Sequence, residues 1–117
     1  MSNELINVND ESRENEFGFL LRLIPTGEEN AVSMLDLANS LRTTERGVRR
    51  LVTMARLSNN IICSTGAGYF IPNTYRELEK YYHISRARLL TCARCLKPVE
   101  RLLEQRKDLS DYYETIF

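Results

Sequence analysis

Four arginines fall close together in the chain, at Arg46, Arg49, Arg50 and Arg56. The planar guanidinium group can bond the O6 and N7 atoms of guanine in a bidentate manner, and it also binds phosphate oxygens. Recognition of a polyanion is therefore the chemistry open to this cluster, and duplex DNA is the commonest partner of such a face. The alternative is a solvated helix surface that binds nothing.

The charges of the 117-residue chain are segregated, although the formal net charge is +0. Residues 1–30 carry −5, residues 31–107 carry fourteen bases and six acids (+8), and the last ten residues carry −3. A basic body between acidic ends fits a polyanion binder whose tails limit non-specific attachment. Chance clustering on a solvated surface is the plainer explanation of the same distribution.

The cysteines and the histidine offer a second kind of chemistry. The CxxC pair Cys92 and Cys95 could join Cys63 and His83 in a four-ligand zinc site. Only one CxxC is present, however, and it lies in a helical pattern while Cys63 belongs to a strand pattern. We therefore expect buried structural cysteines, no metal and no cofactor.

Several classes of protein are not expected from the composition. The chain has one histidine, no nucleophile motif and no phosphate-binding glycine loop, so we expect no catalytic residues and no enzyme. No run approaches the roughly 20 apolar residues that span a bilayer. Three cysteines and an acidic N-terminus unlike a signal peptide argue against a disulfide scaffold, and they predict a cytoplasmic protein.

Two short helices are predicted to position the arginines. An apolar stripe over residues 17–24 first predicts a helix that ends before Pro25. Ser33 is a suitable N-cap for the next helix, which runs to about Leu41, and Thr44 for the one after it. The apolar residues of the last helix follow the spacing of a buried face, with Arg46, Arg49, Thr53 and Arg56 opposite and Arg50 beside them. That buried face consists of Val48, Leu51, Val52 and Ala55.

A hairpin and a long helical segment follow. Residues 61–64 and 69–71 are β-rich, and the glycine-containing turn of about four residues between them predicts a hairpin. From Thr74 onward the pattern is helical, and Pro98 predicts a kink or two abutting helices. The predicted fold class is mainly α with a small β-hairpin, followed by a long C-terminal helical segment.

The C-terminal segment repeats apolar residues at alternating intervals of four and three, which is an a/d heptad pattern. The repeating positions are Leu78, Tyr82, Ser85, Leu89, Cys92, Leu96, Val99 and Leu103. The seam could form a coiled coil with a second copy or pack within the chain against Phe17, Leu20 and Ile24. We favour a homodimer, whose dimerisation residues are the same set without Ser85.

Residues 31–73 resemble a known family through "SMLDLANSL", "TERGVRRLVTMAR" and above all "IICSTGAGYFIP". This region is similar to the winged helix-turn-helix DNA-binding domain of the biotin operon repressor and of small regulators of phages and mobile elements in Gram-positive bacteria. The resemblance implies that the second helix enters the major groove and that the hairpin, the wing, touches the DNA backbone. The residues expected to contact DNA are Thr43, Thr44, Glu45, Arg46, Arg49, Arg50, Thr53, Gly66, Ala67 and Gly68.

Two positions depart from the family pattern. The turn between the helices usually holds a glycine and then an aliphatic residue, but Arg42 and Thr43 stand there. A left-handed turn at Arg42 would cost roughly 1 kcal/mol, which predicts a reshaped turn. Gly47 in the first turn of the second helix lowers helix propensity by up to about 1 kcal/mol. Gly47 serves either close backbone approach or an end that frays until DNA binds.

The chain is expected to comprise a flexible acidic arm (1–15), a winged helix-turn-helix domain (16–73), a helical dimerisation or packing segment (74–107) and an acidic aromatic tail (108–117). The expected function is sequence-specific binding of double-stranded DNA by a transcriptional regulator of phage or mobile-element type. The alternatives are a replication-initiation accessory or a winged-helix adaptor or inhibitor that binds a protein partner through the C-terminal helix and tail. No membrane partner is expected.

Overall fold

The computed structural model describes residues 4–9 and 16–106. Three short helices come first, then a hairpin and one long helix, which confirms the predicted fold class. The elements are α1 (Gly18–Leu23), a 3-10 turn (Glu28–Asn30), α2 (Met34–Leu41), α3 (Glu45–Leu57), β1 (Cys63–Thr65), β2 (Gly68–Phe70) and α4 (Tyr75–Gln105). The described residues up to Tyr82 form one compact unit, and those from His83 onward form a second.

Both predicted N-caps are confirmed. The Ser33 Oγ atom accepts a hydrogen bond from the backbone N–H of Asp36 (3.1 Å), and Thr44 Oγ1 accepts one from Gly47 (3.0 Å). Each bond satisfies one of the amides that the first turn of a helix leaves without an intrahelical partner, which is worth about 1 kcal/mol. The start of α3 is therefore capped, and Gly47 does not mark a frayed end.

The turn between α2 and α3 keeps the left-handed conformation, contrary to the reshaped turn that the sequence predicted. Arg42 has φ 53° and ψ 46°. The N–H of Thr43 donates to the carbonyl of Ala38 (3.0 Å) and that of Arg42 to Asn39 (3.2 Å), which is the Schellman pattern of a helix end. These bonds satisfy carbonyls at the end of α2 and offset the cost of roughly 1 kcal/mol for a side chain in this region.

Gly47 has a steric role at the same turn. A Cβ atom on Gly47 would overlap the Oγ1 atom of Thr43. The glycine therefore makes room for the Thr43 side chain. This contact is with a side chain, so the close backbone approach considered from the sequence stays a prediction.

The hairpin turn is shorter than predicted. Thr65 pairs with Gly68, and only Gly66 and Ala67 lie between the strands, so the turn has two residues rather than four. On its other edge β2 pairs with the segment before α2: Tyr69 donates to the Val32 carbonyl (2.8 Å) and Val32 to the Tyr69 carbonyl (2.9 Å). The hairpin is thereby fixed to the chain that leads into α2.

One hydrophobic core lies between α1, α2, α3 and the hairpin. Leu20, Leu37, Val48 and Phe70 are fully buried. The other buried hydrophobic members are Phe17, Ile24, Ala38, Val52, Ala55, Ile62, Cys63 and Tyr69. The core also contains the three residues that the sequence offered as an intrachain partner for the heptad seam, Phe17, Leu20 and Ile24. They are covered by residues of the first unit.

Two glutamates hold the start of α4 in the first unit. The Glu77 carboxylate accepts backbone hydrogen bonds from Asn73 and Glu28, both at 2.6 Å, while the Glu77 N–H donates to Thr74 Oγ1 (3.3 Å). The Glu28 carboxylate accepts from Lys80 (2.9 and 3.1 Å) and from Thr65 Oγ1 (2.7 Å). The hydrogen bond from Lys80 and, to a lesser extent, the one from Thr65 lower the pKa of Glu28. The resulting network ties together the hairpin, the 3-10 turn and α4.

Part of the segment expected to be a flexible arm contacts the first unit. The N–H of Ile6 donates to the Asn73 carbonyl (3.2 Å). The side-chain amide of Asn9 donates to the Ile61 carbonyl (3.3 Å) and accepts from the Ile61 N–H (2.8 Å), as a neighbouring strand would. Residues 10–15 and the predicted tail, 108–117, lie outside the described residues.

The long helix α4 passes through Pro98 without dividing, whereas the sequence allowed two abutting helices. Proline removes one N–H donor, yet the remaining bonds of a 31-residue helix keep one continuous element here. No residue of α4 is buried.

Candidate nucleic-acid interface

The arginine-bearing face of α3 is open to solvent. Arg46, Arg49, Arg50 and Thr53 are exposed. The opposite face buries Val48, Val52 and Ala55 against α2 and the rest of the core. Within the described residues, Arg46 and Arg50 have no carboxylate partner at salt-bridge distance. Their donors are therefore available to phosphate oxygens or base edges.

Arg49 is oriented across α2. Its Nη1 atom lies 3.6 Å from the Sδ atom of Met34, the first residue of α2. A thioether is a weak acceptor, so the contact guides the guanidinium without neutralising it. The side chain keeps most of its donors for a ligand.

Arg56 is the exception among the four arginines. Helical spacing placed it on the exposed face, but it is half-buried and turns toward the hairpin. Its Nε atom donates to the Ile62 carbonyl (2.9 Å) and its Nη2 atom to Ser64 Oγ (3.2 Å). The guanidinium also stands 5.4 Å from the ring centroid of Tyr81. Arg56 is therefore a structural residue that links α3, β1 and the start of α4.

The first turn of α3 presents polar groups beside these arginines. Thr43, Thr44 and Glu45 are all exposed. The hydroxyl of Thr44 accepts the capping bond from Gly47, which leaves its own proton free to donate. Glu45 lies near the positive end of the helix dipole, where a carboxylate is favoured. The start of α3 is therefore exposed and polar, with one carboxylate in its first turn.

The three hairpin residues that were expected to contact DNA differ in their exposure. Gly66 and Ala67 are exposed at the turn, as a surface that touches DNA requires. Gly68 is half-buried with φ 123°, and a Cβ atom there would overlap the carbonyl oxygen of Val32. Gly68 therefore serves the close approach of two backbones, and the exposed turn consists of Gly66 and Ala67.

The predicted dimerisation residues also separate into two groups. Leu78 is half-buried in the first unit. Five of the others are more than half exposed, and Cys92 is exposed as well. Those five are Tyr82, Leu89, Leu96, Val99 and Leu103. The apolar seam thus exists on α4 as an exposed row from Leu89 onward.

The three cysteines do not form a common site. Cys63 is buried in β1, and burial raises the pKa of its thiol to about 12, while Cys92 and Cys95 are exposed on α4. Cys63 alone matches the expectation of a buried structural cysteine. Within residues 4–9 and 16–106, no group of three or more potential ligands is arranged to hold a metal ion.

Comparison of the chain with protein families, with curated proteins and with solved structures gives no match. Among the described residues, no helix combines the length and the apolar character that crossing a bilayer requires.

Proposed function

We propose that the chain is a cytoplasmic, sequence-specific duplex DNA-binding protein, a transcriptional regulator of phage or mobile-element type that acts as a homodimer. The observation that carries the proposal is the exposed face of α3. Arg46, Arg49 and Arg50 lie there on a capped helix whose opposite face is buried against α2. An exposed two-residue hairpin turn follows in the same unit.

The arrangement suits a helix in the major groove. The first helix of such a pair buttresses the second, and early residues of the second reach base edges. Arg46, Arg49 and Arg50 all fall within the first six residues of α3. In this proposal they bond guanine edges and nearby phosphates, while Gly66 and Ala67 approach the backbone from the hairpin.

Binding should weaken steeply with salt. Each phosphate contact releases counterions, and the plot of log K against log salt has a slope of roughly −0.9 per neutralised phosphate. With three free arginines on α3, we expect a slope on the order of −2 to −3 per protomer. Fluorescence anisotropy of a labelled duplex between low and physiological salt measures it. A flat salt dependence would argue against phosphate contacts.

A second candidate function is a protein-interaction module, because α4 presents a row of exposed apolar side chains. Such an adaptor or inhibitor would use the row for a protein other than itself and leave the arginines solvated. Two results together would favour this candidate. The chain would retain no duplex at low salt, and it would capture a defined protein partner stoichiometrically. An apolar-to-charged change at Leu96 would abolish that capture.

A further inference from the structure

From Leu89 onward, α4 carries exposed apolar side chains that nothing in the described part of the chain covers. Leu89 is 68% exposed, Leu96 53% and Leu103 63%. In the heptad pattern these three share one seam position, and the second seam position holds Ser85, Cys92 and Val99. A helix with such a seam is completed by another helix that presents a complementary one.

The charges of this helical unit are divided along its length. Residues 83–95 contain Arg86, Arg88 and Arg94 and no acid, whereas residues 96–106 contain the acids Glu100 and Glu104 together with the bases Lys97, Arg101 and Arg106. A parallel pair would leave Arg86 with no acid beside it along the seam. An antiparallel pair brings Glu100 of each helix beside Arg86 of the other. Opposite charges flanking a seam favour the orientation that joins them.

We propose that residues 85–103 of α4 pair with the same residues of a second copy in an antiparallel coiled coil. The twofold axis passes between the two helices at the level of residue 94. In such an interface, if residue i faces residue j, then j also faces i. The facing seam pairs, each formed twice, are Ser85 with Leu103, Leu89 with Val99, and Cys92 with Leu96. At the flank, Arg86 lies beside Glu100 of the second copy.

Side-chain size supports the same orientation. Ser85 and Cys92 are the smallest seam residues, and the antiparallel register sets each against a leucine. A parallel register would set Ser85 against Ser85 and Cys92 against Cys92, which leaves gaps that protein interiors avoid. Leu78 is half-buried in the first unit, so the seam is shorter than the full heptad tract.

The orientation deepens the proposed function, because it rests on the homodimer and determines whether the two copies of His83 lie far apart or close together. His83 stands eleven residues from the axis, so its two copies lie about 33 Å apart along the helix pair at 1.5 Å per residue. A parallel pair would bring the two His83 residues within about 10 Å.

A charge-exchange experiment tests the orientation. Glu100 is 58% exposed despite its 3.8 Å contact with Lys97, so it is available to the second copy. We expect Arg86→Glu to raise the dimer Kd about 5- to 20-fold, because two attractive pairs become repulsive. Glu100→Arg should do the same, and Arg86→Glu/Glu100→Arg should return to within about 3-fold of the wild type. Sedimentation equilibrium of the full chain gives each Kd.

Arg94→Glu is the matched control, since Arg94 lies on the side of α4 away from the seam and should change the Kd less than about 2-fold. In a parallel pair, Arg86 and Glu100 would be about 21 Å apart and no restoration would occur. A double variant as weak as the singles overturns the antiparallel orientation. A wild-type chain that sediments as a monomer overturns the pairing itself.

The exposed cysteines supply an independent readout. In the antiparallel pair Cys95 faces Cys95 across the twofold axis, while Cys92 faces Leu96. A short bis-maleimide should therefore link two copies of Cys92→Ser through Cys95. Absence of a linked dimer of Cys92→Ser would overturn the proposal. Both experiments contain no DNA, so a chain that fails them but still binds duplex leaves the DNA-binding function standing.

Discussion

Replacing Arg49 and Arg50 together by alanine should raise the Kd for a specific duplex by about 100-fold or more. An arginine in bidentate contact with guanine contributes roughly 1–3 kcal/mol of discrimination, and two such contacts would be lost. Both side chains are exposed on α3 and neither supports the core. Thermal unfolding should therefore change little, and fluorescence anisotropy with a bound duplex measures the loss.

A double variant at Arg22 and Arg76 is the matched control. Both arginines are exposed, on α1 and at the start of α4, so Arg22→Ala/Arg76→Ala removes the same formal charge from elsewhere on the first unit. This control should weaken binding less than about 10-fold, through long-range electrostatics alone. Equal losses in the two double variants would mean that total charge, and not the face of α3, determines binding.

Gly68→Ala should lower the free energy of unfolding by roughly 3 kcal/mol or more. The added Cβ atom would overlap the carbonyl oxygen of Val32, and a φ of 123° is strained for any side chain. That carbonyl accepts the Tyr69 N–H, so relief of the overlap would break the bridge between the hairpin and the segment before α2. Chemical denaturation followed by circular dichroism measures the change.

Gly66→Ala is the control for this prediction. No heavy atom would lie within 4 Å of a Cβ at Gly66, and its φ is not in the left-handed region. The free energy of unfolding should stay within about 0.5 kcal/mol of the wild type. If the two variants are equally stable, the close approach of Gly68 to Val32 is not a feature of the folded protein.

Local signals in the sequence were sufficient for the helices. The caps at Ser33 and Thr44 and the buried spacing of Val48, Val52 and Ala55 each depend on residues within one or two helical turns. Such short-range rules placed the α2–α3 pair and the exposed arginines correctly.

Contacts between distant residues were not predictable from those rules. Arg56 turns away from the exposed face because Ile62 and Ser64 offer acceptors that only the fold brings near. Gly68 is needed where β2 meets Val32, and the pairing of Val32 with Tyr69 spans 37 residues and has no local signal. Helical spacing therefore placed Arg56 on the exposed face, and the family resemblance placed Gly68 on the DNA-contacting surface.

The turn at Arg42 shows a competition between local terms. Propensity disfavours a left-handed arginine by roughly 1 kcal/mol, and on that ground the sequence predicted a different turn. The bonds from Arg42 and Thr43 to the end of α2 outweigh this cost in the folded chain. Neither the bonds nor the space that Gly47 provides could be weighed before the two helices were placed together.

Selection of duplexes from a random-sequence pool at low salt is the decisive experiment on DNA recognition by α3. We predict that the wild-type chain enriches a defined motif containing guanines, and that Arg49→Ala/Arg50→Ala no longer enriches it. A pool that stays unenriched with the wild type would refute recognition by α3, and so would enrichment of the same motif by the double variant.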